Sequence, residues 1–80
     1  MQIDFQSVAK EILPQAKSLV PTWFPSGKKR GKFWVVGSIR GEPGDSLEID
    51  LETGIWKDYA TEDKGGDLIS LLLQRMVLNK

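Results

Sequence analysis

The 80-residue sequence predicts one α+β domain, spanning 1–80, in the order α-β-β-β-α: a three-stranded antiparallel sheet with a helix before it and a helix after it. Three observations carry that prediction. Phe5, Val8, Ala9, Ile12, Leu13, Ala16, Leu19 and Val20 recur at helical spacing. Ser46 to Leu51 alternates strictly between polar and apolar residues. After the Gly65-Gly66 break, Leu68, Ile69, Leu71, Leu72, Leu73, Met76 and Val77 make a helix too broadly apolar to stand alone, so it must lie on a sheet or on another chain.

The first helix is expected over about 4–20, with Asp4 as its cap. Pro14 lacks an N–H and crowds the preceding turn, but the apolar stripe continues in phase past it, which favours a kink over a stop. Pro21 and Pro25 are expected to end the helix and to hold Trp23 and Phe24 in a rigid connection. Ser26 to Gly31 reads as a polar turn. It leads into a first strand over about 32–38, where Phe33, Trp34, Val35 and Val36 bring aromatic and β-branched side chains. Arg40 to Asp45 is a Gly/Pro loop. The second strand covers 46–51, with Leu47, Ile49 and Leu51 inward and Ser46, Glu48 and Asp50 outward. Glu52-Thr53-Gly54 forms a three-residue hairpin loop with Gly at the left-handed position, and the third strand returns over 55–59. Ala60 to Lys64 is a loop, and the last helix runs over 67–77 with Asp67 capping its first turn.

Composition narrows the function. The chain is 40% hydrophobic and 28% charged, which is globular rather than disordered. It has no Cys and no His, which removes disulfides, thiol nucleophiles and ordinary zinc sites. No apolar run approaches the ~18 residues of a membrane span and the start carries no leader pattern, so a cytoplasmic protein with no membrane partner is expected. No nucleophile–base pair and no metal set stands out, and the expectation is a protein that is not an enzyme and needs no cofactor. Net charge is zero but segregated: Lys17, Lys28, Lys29, Arg30, Lys32 and Arg40 lie in a stretch without an acid, Ile12–Gly41. From Glu42 to Asp67, nine acids face only Lys57 and Lys64.

Lys28, Lys29, Arg30, Lys32 and Arg40, with Trp34 among them, are the candidate nucleic-acid site, since single strands are held by phosphate attraction and base stacking together. A solvated loop with Trp34 in the core is the competing account. Strand parity leaves it open: if Phe33 and Val35 face the core, Trp34 lies on the other face, exposed or under the first helix. Trp56 and Tyr59 are expected to fill the core of a domain short of apolar material. Gly65-Gly66-Asp67 suits a helix cap better than a phosphate site, because Asp67 brings a negative charge there. The acids from Asp45 to Asp67 lack the calcium-loop spacing and are expected to face solvent.

Beyond these readings, the motifs resemble the N-terminal zinc-ribbon domain of bacterial and phage DNA primases, in a cysteine-free form. Trp23-Phe24-Pro25-Ser26-Gly27 stands where that family has a C-P-x-H knuckle, and Gly44 to Ile49 where it has its P-S-F-x-V strand. Asp58-Tyr59-Ala60-Thr61 stands at C-F-x-C, and Gly65-Gly66-Asp67-Leu68-Ile69 at the G-G-D helix start. The longer series R-G-E-P-G-x-S-L, T-G-x-W-x-D-Y-A-T and G-G-D-L-I-S-L resembles the front of mobile-element and phage primase-helicase proteins, over roughly Pro21 to Leu73. The resemblance implies a zinc-ribbon-like fold without zinc and a non-catalytic module that contacts single-stranded DNA template in replication or priming. A docking module for a replicative helicase, a primase catalytic domain or a second copy is the alternative. The family's chemistry lies in a separate catalytic domain that these 80 residues are too few to hold.

Overall fold

A computed structural model describes residues 5–78, with side chains from 7 to 77. It is α+β, but the sheet has five strands, not three. Helix α1 (Phe5–Ile12), a 3-10 turn (Leu13–Gln15) and α2 (Ala16–Trp23) form a bent N-terminal arm. Strands β1 (Lys28–Arg30), β2 (Phe33–Val36), β3 (Leu47–Asp50), β4 (Trp56–Asp58) and β5 (Lys64–Gly65) follow, and then α3 (Leu68–Leu78). The cap expected at Asp4 lies outside the described residues.

Pro14 bends the arm, as its place in the first turn of the 3-10 segment requires. Pro21, however, does not end the helix. It sits inside α2, where the hydrogen bond it forfeits falls near the helix end, and Phe24 N–H still closes the last turn on the Val20 carbonyl at 2.9 Å. Thr22 Oγ1 also donates back to the Ser18 carbonyl at 2.9 Å.

The sheet is an antiparallel meander in the order β1-β2-β3-β4-β5. Within the polar turn expected at Ser26–Gly31, Lys28–Arg30 is in fact strand β1, paired Lys28 to Val35, Lys29 to Trp34 and Arg30 to Phe33. The hairpin turns on Gly31-Lys32, with a positive φ of 61° at Gly31 alone of the two, the signature of a type II′ connection. Strand β5 pairs with β4 through Trp56–Gly65 and Lys57–Lys64, in a stretch expected to be loop. Between β3 and β4 the ladder closes with Asp50 N–H on the Ile55 carbonyl at 2.8 Å. The connection is therefore Leu51–Gly54, one residue longer than expected, with Gly54 at φ 81°.

Alternation assigns the faces. Val36, Leu47, Ile49 and Trp56 share one face and pack with Ala16, Val20 and Phe24 of the arm and Leu68 and Leu71 of α3 into a single core. The helices pack against that face; on the other side of the sheet Val35 is nonetheless fully buried. Trp56 joins three elements: its indole N–H donates to Ser70 Oγ at 3.0 Å, and its ring lies against Gly65, where a Cβ would collide with Ser70 Oγ and Trp56 Nε1. Asp67 caps α3 as expected, accepting from the Ser70 N–H at 2.7 Å.

Candidate nucleic-acid interface

The face turned away from the helices carries the chain's open chemistry. Register places Arg30, Phe33 and Asp50 in one row across the strands, and Lys28, Val35, Glu48, Lys57 and Lys64 in the next. Ile55 and Tyr59 continue the same side of β4, and both are exposed. Tyr59 remains held to the sheet, since its N–H donates to the Ser46 carbonyl at 2.7 Å. Cations hover over the two rings of this face: Lys57 Nζ lies 4.9 Å from the Tyr59 centroid, and Lys32 Nζ lies 5.5 Å from that of Phe33.

The sequence-predicted residues divide into three groups. Lys28, Lys29 and Arg30 form the edge strand, all exposed, with no ion pair to any described residue. Lys32 is committed to Asp50, Nζ to Oδ2 at 3.3 Å. Arg40 stands apart, lining a shallow depression with Glu42, Asp58 and Asp63, whereas Lys28 borders a different one beside Pro43 and Asp45. Trp34 belongs to the helix-covered side: it is half-buried against the core, and its indole N–H donates to the Phe24 carbonyl at 2.9 Å. Gly27 lies so close to that ring that a Cβ there would collide with Trp34 Nε1 and come within 2.8 Å of the Val35 carbonyl.

Three side chains depart from expectation. Tyr59 does not fill the core; it is 58% exposed. Asp50 and Asp58 do not face solvent; they are 6% and 1% exposed. Asp50 Oδ1 accepts the N–H groups of Glu52 and Thr53, and Asp58 Oδ1 accepts those of Ala60 and Thr61, so each carboxylate holds the turn that follows its strand. Burial alone would raise the Asp50 pKa; the two N–H donors and Lys32 together outweigh it and hold the carboxyl below its ordinary value. Glu42 is also held low, chiefly by the Ser38 hydroxyl 2.7 Å from its Oε2.

The two Asp-turns carried a legible signal, an Asp followed by turn-forming residues at both strand ends. The exposure of Tyr59 carried one too, since alternation along 55–59 puts Tyr59 with Ile55 and Lys57 on the face opposite Trp56. Among the described residues no group of three or more carboxylates is placed to hold a metal ion, and no helix is long and apolar enough to cross a membrane. No protein-family model, no curated protein and no solved structure matches this chain.

Proposed function

We propose that this domain is a non-catalytic module that binds single-stranded nucleic acid, DNA template in the setting of replication and priming. The observation that carries the reading is β1, an edge strand whose three side chains, Lys28, Lys29 and Arg30, are all cationic and exposed, without carboxylate partners among the described residues. A polyanion laid along that edge gains phosphate contacts without breaking an internal ion pair. Within this reading the chain is a metal-free, zinc-ribbon-like relative of the primase N-terminal domains, working in the cytoplasm. The motif series and the Asp67-capped helix after Gly65-Gly66 support that relation.

The test is fluorescence anisotropy of a labelled single-stranded oligonucleotide at low and physiological salt. Reversing Lys28, Lys29 and Arg30 to Glu is expected to weaken binding on every sequence alike. Losing three phosphate contacts should also make the log–log salt slope shallower by about two. Unchanged affinity and slope in the triple variant refute the assignment.

One observation favours docking to a protein, such as a replicative helicase, a primase catalytic domain or a second copy. Leu73, Met76 and Val77 form an exposed apolar stripe on α3, 49%, 69% and 63% accessible.

A further inference from the structure

We propose that the open sheet face is a base-stacking platform, with Tyr59 and Phe33 as its rings and Lys28, Arg30 and Lys57 as the cations beside them. The inference rests on the nucleic-acid reading above and adds to it the residues that meet the bases. Trp34 is spent on the Phe24 carbonyl and the core, so the stacking rings must be sought elsewhere. The open face supplies two. Tyr59 is well exposed in a domain that could have used its area inside, and it is pinned by a backbone hydrogen bond rather than left on a free loop. Its ring sits beside the Lys57 ammonium, a pairing of π-face and cation that accepts a base and its phosphate together; beside Phe33 the Lys32 ammonium is held by Asp50, and Arg30, opposite Phe33, is the cation without an ion pair among the described residues.

The register sets the spacing. Phe33 lies opposite Asp50 on β3, and Tyr59 is bonded to Ser46, four residues away along the same strand direction. At ~4.8 Å between strands and ~3.3 Å per residue, the two rings sit roughly 16 Å apart on a diagonal of the sheet. Arg30 and Lys28 flank Phe33's end, and Lys57 stands by Tyr59. That diagonal suits a segment of about four unpaired nucleotides, and it offers a duplex nothing to stack, because paired bases keep their faces to one another.

The experiment compares an oligothymidylate of about eight nucleotides with an abasic oligonucleotide of equal charge and with a duplex, using the whole 80-residue chain. Tyr59→Ala is expected to weaken oligothymidylate binding about fivefold or more while leaving abasic binding and the salt slope unchanged, and Tyr59→Phe is expected to bind as the parent does. In the parent itself, the Tyr59 ring protons should move upfield on addition of oligothymidylate, a readout that needs no variant. If Tyr59→Ala binds oligothymidylate like the parent while Lys28→Glu and Arg30→Glu weaken it, the platform is wrong and the nucleic-acid reading survives. Equal weakening on the abasic strand also overturns stacking. A parent that binds none of the three at low salt overturns both.

Discussion

Asp50 shows how one carboxylate can serve a turn and a surface at once. Its Oδ1 ties down the N–H groups of Glu52 and Thr53, while Oδ2 meets Lys32 on the open face. Removing it in Asp50→Ala leaves those donors to find water and should cost about 1–3 kcal/mol in chemical denaturation. The pH dependence has a definite sign. The folded carboxyl titrates below its ordinary value, so the stability it contributes is fully present above the ordinary carboxylate range. It is lost as the pH falls through the lowered folded value. Thermal melts of the parent should therefore decline below about pH 4, and Asp50→Asn should flatten part of that decline; an unchanged acid limb in the variant contradicts the assignment. Alternation alone had put this residue on the solvent side. That was correct as to face, but it missed that the turn folds back over the carboxylate. Inward Leu47 and Ile49 were fully legible because each needs only its own strand's period, and Leu51 is buried as well although it lies in the connection after β3.

At the scale of elements, what could be read from the sequence tracks length. The two long helical stretches and β3 announce themselves through their apolar patterns, β2 through its aromatic and β-branched content and β4 as the return of a Gly-containing hairpin, each within a few residues of its observed bounds. Strands β1 and β5 are three and two residues long, polar or glycine, and are strands only because a neighbour pairs with them. No intrinsic preference of Lys-Lys-Arg or Lys-Gly reveals that. Strand β5 is nonetheless tightly specified, because Trp56 lies over Gly65 and donates to Ser70 at the start of α3. Gly65→Ala forces the indole or Ser70 aside and should destabilise the domain by about 1–3 kcal/mol. At roughly 4–8 °C per kcal/mol for a chain of this size, calorimetry would register a clear drop in Tm. Hydrogen exchange should quicken at the Ser70 and Leu71 amides, at the N-terminus of α3; a Tm within about 1 °C of the parent would show the contact to be slack.

The described residues place one layer of helices on one face of a sheet, and with so little area to bury, the helices must be fastened to one another across that layer. Arg75 does this. From α3 its Nη1 donates to the Trp23 carbonyl at 2.7 Å, at the end of α2, and its guanidinium lies 4.8 Å from the centroid of the buried Phe24 ring. The contact joins residues 52 apart in sequence, which is why no local pattern foretold it. A charged donor to a helix-terminal carbonyl contributes about 1.5–3 kcal/mol, and a partly desolvated cation over a ring adds about 1 kcal/mol. Arg75→Ala should therefore destabilise by about 2–4 kcal/mol, a large share of the 5–15 kcal/mol typical of whole domains. Arg75→Lys keeps the charge but not the planar group that bonds the carbonyl and stacks on Phe24 together, so it should recover only part of the loss. Urea unfolding of the three proteins measures both steps. Charge reversal of exposed Lys28 or Arg30, on the opposite face, should by contrast stay within about 0.5 kcal/mol of the parent. That separation is what allows the binding face to be altered without unfolding the domain. A Lys28→Glu variant as damaged as Arg75→Ala would mean that the two faces are not independent, and binding losses in the β1 variants could then no longer be read as lost contacts.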